Sequence, residues 1–167
     1  MECYRVRVTK DYLTFCAAHF ISFEGNQRER LHGHNYRVAA EIGGPLNDDH
    51  LVFDFINLKR ILRRISDELD HRMLVAEHSQ VLPVEVTEEY VRLTHDGKEW
   101  VFPLDDCILL PIENTTAELL ARWIANRLRE EITVMQAEGA PFVTPETLSV
   151  EVEETSGQSA RYTWTPE

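Results

Sequence analysis

Two histidines one residue apart, His32-Gly33-His34, with His19 a short distance upstream, restrict this chain more than any other feature. Strand side chains alternate with a period of two. If Gly33-His34-Asn35-Tyr36-Arg37-Val38 opens a β-strand, positions 32 and 34 therefore point to one face. Two imidazoles on one strand face can grip one metal ion, and Gly33 lets a neighbouring backbone approach closely. His19 as a third donor gives the ligand count of a catalytic zinc, which keeps a fourth position for water or substrate.

The surrounding pattern supplies the strands. Tyr4 to Thr9 alternates, breaks at Lys10-Asp11 and resumes at Tyr12-Leu13-Thr14-Phe15, so that His19 lies at the end of a long strand or hairpin arm. Ser22 to Leu31 is polar, carries Gly25-Asn26, and reads as a loop. His34 to Ile42 forms a second strand, closed by Gly43-Gly44-Pro45. Helical spacing begins after Asp54, a predicted N-cap, with Phe55, Leu58, Ile61, Leu62, Ile65 and Leu69 on one stripe.

Thr115-Thr116-Ala117-Glu118 fits a capping box for a second helix, with Leu119, Leu120, Trp123, Ile124 and Leu128 on one face and a stop at Glu138-Gly139. Leu148 to Glu153 alternates strictly, and Ala160 to Trp164 gives a last strand. Between the helices, Tyr90-Val91-Arg92-Leu93 and Glu99-Trp100-Val101-Phe102 flank Asp96-Gly97, a hairpin signal. The order of elements predicts an α+β fold, a mainly antiparallel sheet with both helices on one face. Such a sheet leaves an edge to cover, and oligomerisation is one way to cover it.

At 167 residues and 43% hydrophobic the chain suits one domain over 1–167. A formal charge of −12 argues against sequence-independent nucleic-acid binding, which needs Lys and Arg to displace phosphate counterions. It leaves room for an anionic small molecule, since a metal and a few basic side chains can outweigh the global field. No apolar run is long enough to span a membrane, and the N-terminus lacks a signal-peptide core. Cys3, Cys16 and Cys107 are odd in number and scattered, so a reducing cytoplasm is expected.

Further candidates for chemistry stand near the histidines. Asp70-His71, after the first helix, can shuttle protons near neutral pH if the chain turns there, although a histidine at a helix C-terminus also interacts with the helix dipole. Glu29, three residues before His32, could serve as a general base on a substrate held by the metal, or be a plain loop glutamate. Glu154 can accept two hydrogen bonds from an amidine-like edge such as a 2-aminopyrimidinone, or simply be solvated. His50, His78 and His95 sit in polar loops without partners in view, and zinc suits the all-imidazole donor set best.

In sequence order, Phe15-Cys16-Ala17-Ala18-His19, Leu31-His32-Gly33-His34-Asn35-Tyr36, Val52-Phe53-Asp54-Phe55-x-x-Leu58-Lys59, Leu69-Asp70-His71, Thr115-Thr116-Ala117-Glu118 and Val150-x-Val152-x-Glu154-Thr155 resemble one family. It is the 6-pyruvoyltetrahydropterin synthase / 6-carboxytetrahydropterin synthase family, which has the T-fold (tunnelling fold). The resemblance implies zinc on His19, His32 and His34, and proton transfer by Asp70 and His71. It also implies a pterin ring anchored by Glu154 with Thr115 and Thr116 nearby. It implies homo-oligomers, commonly hexamers built as dimers of trimers, with active sites at subunit interfaces.

The chain departs from the family in two places. Pyruvoyl- and carboxy-forming members carry a catalytic cysteine a few residues before the His-Gly-His motif, whereas this chain has Asn26-Gln27-Arg28-Glu29-Arg30-Leu31. Glu29-x-x-His32-Gly33-His34 looks like the variant subfamily with glutamate in the cysteine's place. That subfamily shortens the side chain of 7,8-dihydroneopterin triphosphate to give 6-hydroxymethyl-7,8-dihydropterin for folate synthesis. A carboxylate and a thiolate differ as nucleophile and base, so the exchange should redirect the reaction. The second departure is an inserted β-hairpin at about 78–110, whose Tyr90 and Trp100 either cover a pocket, extend an interface or decorate the surface.

The expected function is thus a zinc-dependent lyase of the pterin pathway with Glu29, Asp70 and His71 as its catalytic residues. Two rivals stand beside it. One is formation of the carboxy or pyruvoyl product by an unusual base or by Cys16, in queuosine or tetrahydropterin synthesis. The other is a non-catalytic pterin-binding oligomer with structural zinc.

Overall fold

The longest strand, β5 (His32–Gly44), organises the sheet. Tyr36, Val38, Ala40 and Ile42 are buried while Asn35 and Arg37, on either side of Tyr36, are exposed, the alternation of a strand with one face on a core. β1 (Tyr4–Val8) and β2 (Thr14–His19) pair antiparallel with successive halves of one β5 edge, Tyr4 opposite Gly44 and His19 opposite His32. The other edge carries β11 (Thr147–Thr155), with Glu153 opposite Arg37, and β12 (Gln158–Trp164) lies outside β11. The structure, a computed structural model, describes residues 4–142 and 144–166, so Cys3 lies outside the described residues.

The sheet is mainly antiparallel, as expected, with two parallel pairings that the pattern does not predict. β6 (Arg72–Ala76) runs parallel to β2, and β10 (Cys107–Leu110) parallel to β6, so the seven-stranded sheet is mixed. Met73, Leu74 and Val75 are all buried, a continuous apolar run without the alternation that marks a one-sided strand. Short runs of that kind are ambiguous by periodicity alone.

α1 (Phe55–Leu69) starts at Asp54, whose carboxylate accepts the Asn57 N–H at 2.7 Å. Leu58, Ile61, Leu62, Ile65 and Leu69 are at most 2% exposed, and each contributes about 1.5–3 kcal/mol by burial. Phe55, in the first turn, is half-exposed and does not extend the stripe.

α2 (Ala117–Ala137) is capped by Thr116, which accepts the Leu119 N–H. This is one residue later than the capping box predicts, because Thr115 is buried with its hydroxyl donating to the Phe20 carbonyl at 2.9 Å. The helix ends at Gly139, whose φ of +92° glycine adopts without strain. α1 packs on β1, β2 and β5, and α2 on β11 and β12, so both helices cover one face. An Arg127–Glu68 pair with two hydrogen bonds (2.8 and 3.0 Å) ties them together.

The predicted hairpin insert is a three-stranded sheet. β8 (Tyr90–His95) and β9 (Lys98–Pro103) turn at Asp96-Gly97, both with positive φ, and β7 (Val84–Val86) pairs with β8. β7 is too short to show a period. Val91 and Leu93 join Phe20, Met73, Val75 and Leu82 in a second, smaller core. A miniature hairpin, β3 (Ser22–Phe23) with β4 (Gln27–Arg28), occupies the segment read as loop. No helix among the described residues is long and apolar enough to cross a membrane.

Candidate metal centre and pterin site

The β2–β5 register places His19 directly across from His32, with His34 opposite Ala17. His19 is fully buried, and its Nδ1–H donates to the Thr115 carbonyl at 3.0 Å, so that Nε2, 3.4 Å from the Tyr36 hydroxyl, is the unprotonated nitrogen. His32 is held the same way, Nδ1 to the Arg30 carbonyl at 2.7 Å. One ring nitrogen from each of the three histidines lies within 4.8 Å of the others. Burial pushes the His19 pKa down to about 4, the Thr115 carbonyl opposing and the neighbouring imidazoles of His32 and His34 adding to the fall. His19 therefore carries the neutral ring that a metal ligand needs.

His34 Nε2 is buried without a hydrogen-bond partner. A buried polar nitrogen left unpaired is costly, and a cation at the point where the three rings converge would satisfy it. The residues present fit a metal. Two carboxylates flank that point: Glu154 Oε1 lies 3.7 Å from both His19 Nε2 and His34 Nε2, and Glu29 Oε2 lies 3.5 Å from His32 Nε2. Glu29, His32, His34, Thr116, Glu118 and Glu154 line an open cavity of about 440 Å³, within the range of small-molecule sites.

Gly33 earns its place by space alone. A Cβ there would sit 2.8 Å from the Ala17 carbonyl oxygen, a backbone atom that cannot swing aside. Gly33→Ala should push β2 from β5 between the paired histidines. The expected outcome is metal affinity about 10- to 100-fold weaker, as when an outer-shell support is lost, read as metal retained after dialysis against a competing chelator.

Asp70 and His71 also meet. Asp70 ends α1 in extended conformation and His71 takes a φ of +57°, so the chain does turn there. Asp70 accepts the Cys16 N–H at 2.7 Å and lies 2.9 Å from His71 Nδ1, while the His71 N–H donates to the Cys16 carbonyl. Burial acts upward on the Asp70 carboxyl, but the Cys16 amide, His71 and Arg63 outweigh it and hold its pKa below the usual value. The pair lies on the β6 edge of β2, whereas the β5 histidines lie on the other edge, and neither residue lines the cavity around Glu29. The His71 side chain is 81% exposed. Cys16, also exposed, lines a second cavity with Gly33, Asn35 and Arg37.

Thr116 faces the cavity, whereas the buried Thr115 stands behind His19 and touches the site through its carbonyl. His95 Nδ1–H donates to the Val81 carbonyl inside the insert, and neither it nor His50 or His78 joins a metal-competent group among the described residues. Tyr36 went unnoticed in the sequence. Its hydroxyl lies 3.2 Å from His19 Nδ1, and burial, then the Glu154 charge, hold its pKa well above the ordinary value. Its place two residues after His34 on an alternating strand was the available signal.

A family model described as 6-pyruvoyl tetrahydropterin synthase matches residues 7–164. The chain belongs to that family. Among relatives of this tetrahydropterin synthase family, a Methanocaldococcus jannaschii protein named putative 6-carboxy-5,6,7,8-tetrahydropterin synthase is 32% identical over 151 residues, 90% of this chain and 89% of the other. A Pyrococcus furiosus dihydroneopterin monophosphate aldolase is 36% identical over 61 residues, 36% of this chain and 51% of the other. A solved structure of Plasmodium vivax 6-pyruvoyltetrahydropterin synthase, described as a variant with a catalytic glutamate changed to alanine, superposes with a TM-score of 0.88. It is 30% identical, and the match covers 99% of this chain and all of the other. The curled mixed sheet with two helices on one face is the T-fold of that family.

Proposed function

We propose that this chain is a zinc-dependent lyase that shortens the C6 side chain of 7,8-dihydroneopterin triphosphate to give 6-hydroxymethyl-7,8-dihydropterin. The observation that carries the reading is Glu29: its carboxylate stands 3.5 Å from His32 Nε2, at the rim of the histidine cluster. That is where a general base must be to reach a side chain held there. The catalytic glutamate of the Plasmodium relative supports a carboxylate in the base's role, and the aldolase name of the Pyrococcus relative supports carbon–carbon cleavage.

His19, His32 and His34 would hold the metal, and zinc is the choice for three imidazoles. Zinc held there would supply Lewis acidity toward the side-chain hydroxyls of the substrate. Glu29 then takes the proton of the C2′ hydroxyl. The C1′–C2′ bond breaks, its electron pair passes to C1′ and the adjoining imine of the reduced ring, and C2′ leaves as an aldehyde carrying the triphosphate. C1′ keeps its hydroxyl and takes a proton, which the Asp70-His71 pair supplies. Glu154 accepts from the amidine-like edge of the ring, and Thr116 borders the same cavity.

Asp70 and His71 lie across β2 from Glu29, so the reading includes a homo-oligomer, a hexamer built as a dimer of trimers, in which neighbouring copies complete each site. The outer edges of β10 and β12 carry no strand partner among the described residues, which supports such an assembly. A cytoplasmic location accords with the exposed free thiol of Cys16.

A second reading, formation of 6-carboxytetrahydropterin, is favoured by the name of the Methanocaldococcus relative and by Cys16 beside the second cavity. Incubating the zinc-loaded protein with 7,8-dihydroneopterin triphosphate and weighing the pterin product separates the two. The hydroxymethyl compound is expected; a carboxy or pyruvoyl product would overturn the proposal.

A further inference from the structure

The three-stranded insert takes no part in the chemistry above, yet one of its rings reaches the segment that carries Glu29. β3 and β4 pair Ser22 with Arg28 and Phe23 with Gln27. The Glu29 N–H extends that ladder to the Ile21 carbonyl at 2.8 Å. Ser22 is clamped in turn by Asn114, whose side-chain amide donates to the Ser22 carbonyl at 2.8 Å and accepts its N–H at 3.3 Å. The Glu29 carbonyl accepts from Arg28 Nη1 at 2.8 Å. Both main-chain polar groups of Glu29 are therefore occupied.

Arg28 is held in an unusual way. Its guanidinium carbon lies 4.2 Å from the centroid of Trp100, on β9, and 5.3 Å from that of Phe20, and the two rings touch each other at 5.1 Å. Its Nε is buried without a hydrogen-bond partner, and no carboxylate lies within ion-pair distance of it among the described residues. A guanidinium with no anion to neutralise gains its stabilisation from the aromatic faces, the indole being the better partner. That leaves one hydrogen bond, to Glu29, as its directional contact. Flexible arginine side chains lose much rotamer freedom when held so, and the stack is what keeps Nη1 aimed.

We propose that Trp100 and Arg28 are positioning residues for Glu29: the insert fixes the guanidinium, and the guanidinium fixes the main chain from which the carboxylate projects beside the histidines. The insert then serves as a brace for the catalytic segment. This rests on Glu29 being the proton acceptor. Small displacements of a reacting group are expensive: about 1 Å can cost about a hundredfold in rate.

The test uses the full-length zinc-loaded protein with 7,8-dihydroneopterin triphosphate. Trp100→Ala and Arg28→Met should each lower kcat about 10- to 100-fold, with KM within about twofold and bound zinc unchanged. The double variant should lose no more than the worse single one, because both act through one contact. Trp100→Phe, which keeps a π face and a folded insert, should recover most of the rate. Amide hydrogen exchange over residues 21–32 should quicken in Trp100→Ala while that of α2 does not.

Parental kcat in Arg28→Met, additive losses in the double variant, or exchange that quickens everywhere would overturn the proposal. Glu29→Ala separates the two failures. If it turns over at the parental rate, the base assignment is wrong, and exchange over 21–32 alone decides whether the brace exists.

Discussion

Replacing Glu29 with alanine is expected to slow turnover of 7,8-dihydroneopterin triphosphate about 10²- to 10⁴-fold, the range for a lost general base. Bound zinc and melting temperature should stay near parental values. The expectation follows from how the residue is built in. Its N–H and carbonyl are held by Ile21 and Arg28, so the backbone keeps its path when the side chain is cut. The side chain is 52% exposed, so truncation leaves no buried void. Its contact with His32 Nε2, at 3.5 Å, is too long for a strong hydrogen bond, so the imidazole stays oriented by the Arg30 carbonyl. Cys16→Ala should retain parental turnover under the same assay. Loss in the cysteine variant with a working Glu29→Ala protein would move the chemistry to the second cavity, which Cys16 lines together with His34 and Glu154.

The second large effect concerns the metal. His34→Ala should weaken metal binding by more than the 10- to 100-fold typical of an outer-shell change, and turnover should disappear with the metal. His34 is the informative position because its Nε2 has no hydrogen-bond partner, only the Glu154 carboxylate at 3.7 Å, whereas His19 also carries Thr115 and Tyr36. Truncating His19 would orphan those groups and confound metal loss with misfolding. Stripping the parent protein with a chelator should lower its melting temperature, because a metal held by the folded cluster more tightly than by the unfolded chain stabilises the fold. Readdition of zinc should restore both stability and turnover. Full metal retention by His34→Ala, measured by elemental analysis after dialysis, would contradict the three-histidine centre.

Much of this arrangement was legible in the chain. A strict period of two from Tyr36 to Ile42 and of three and four from Leu58 to Leu69 marks elements with one wet face, and those were readable. β6 and β10 were not, because strands buried on both sides lose their alternation, and Met73-Leu74-Val75 looks like any apolar run. The α2 cap shifted by one residue because Thr115 has a tertiary partner, the Phe20 carbonyl, which local pattern cannot reveal.

At the site, side chains announced themselves and main chain did not. His19, His32 and His34 converge as their spacing suggested, but the carbonyls of Thr115 and Arg30 that set their tautomers have no signature in residue type. The same holds for Asp70-His71. The pair was visible, while its place on the far edge of β2 depends on β6, the strand that was missed.

The two cores bear on how the molecule comes apart. The larger one binds both helices to the seven-stranded sheet, while the smaller holds the insert through Phe20, Met73, Val75, Leu82, Val91 and Leu93. A unit with fewer buried contacts opens at lower free energy than the whole. The insert sheet is therefore the segment expected to detach first on warming, and Phe20, the residue after His19, would lose its cover as it goes. Catalytic competence should then fade at temperatures where the helices and the main sheet are still intact, so that inactivation precedes unfolding.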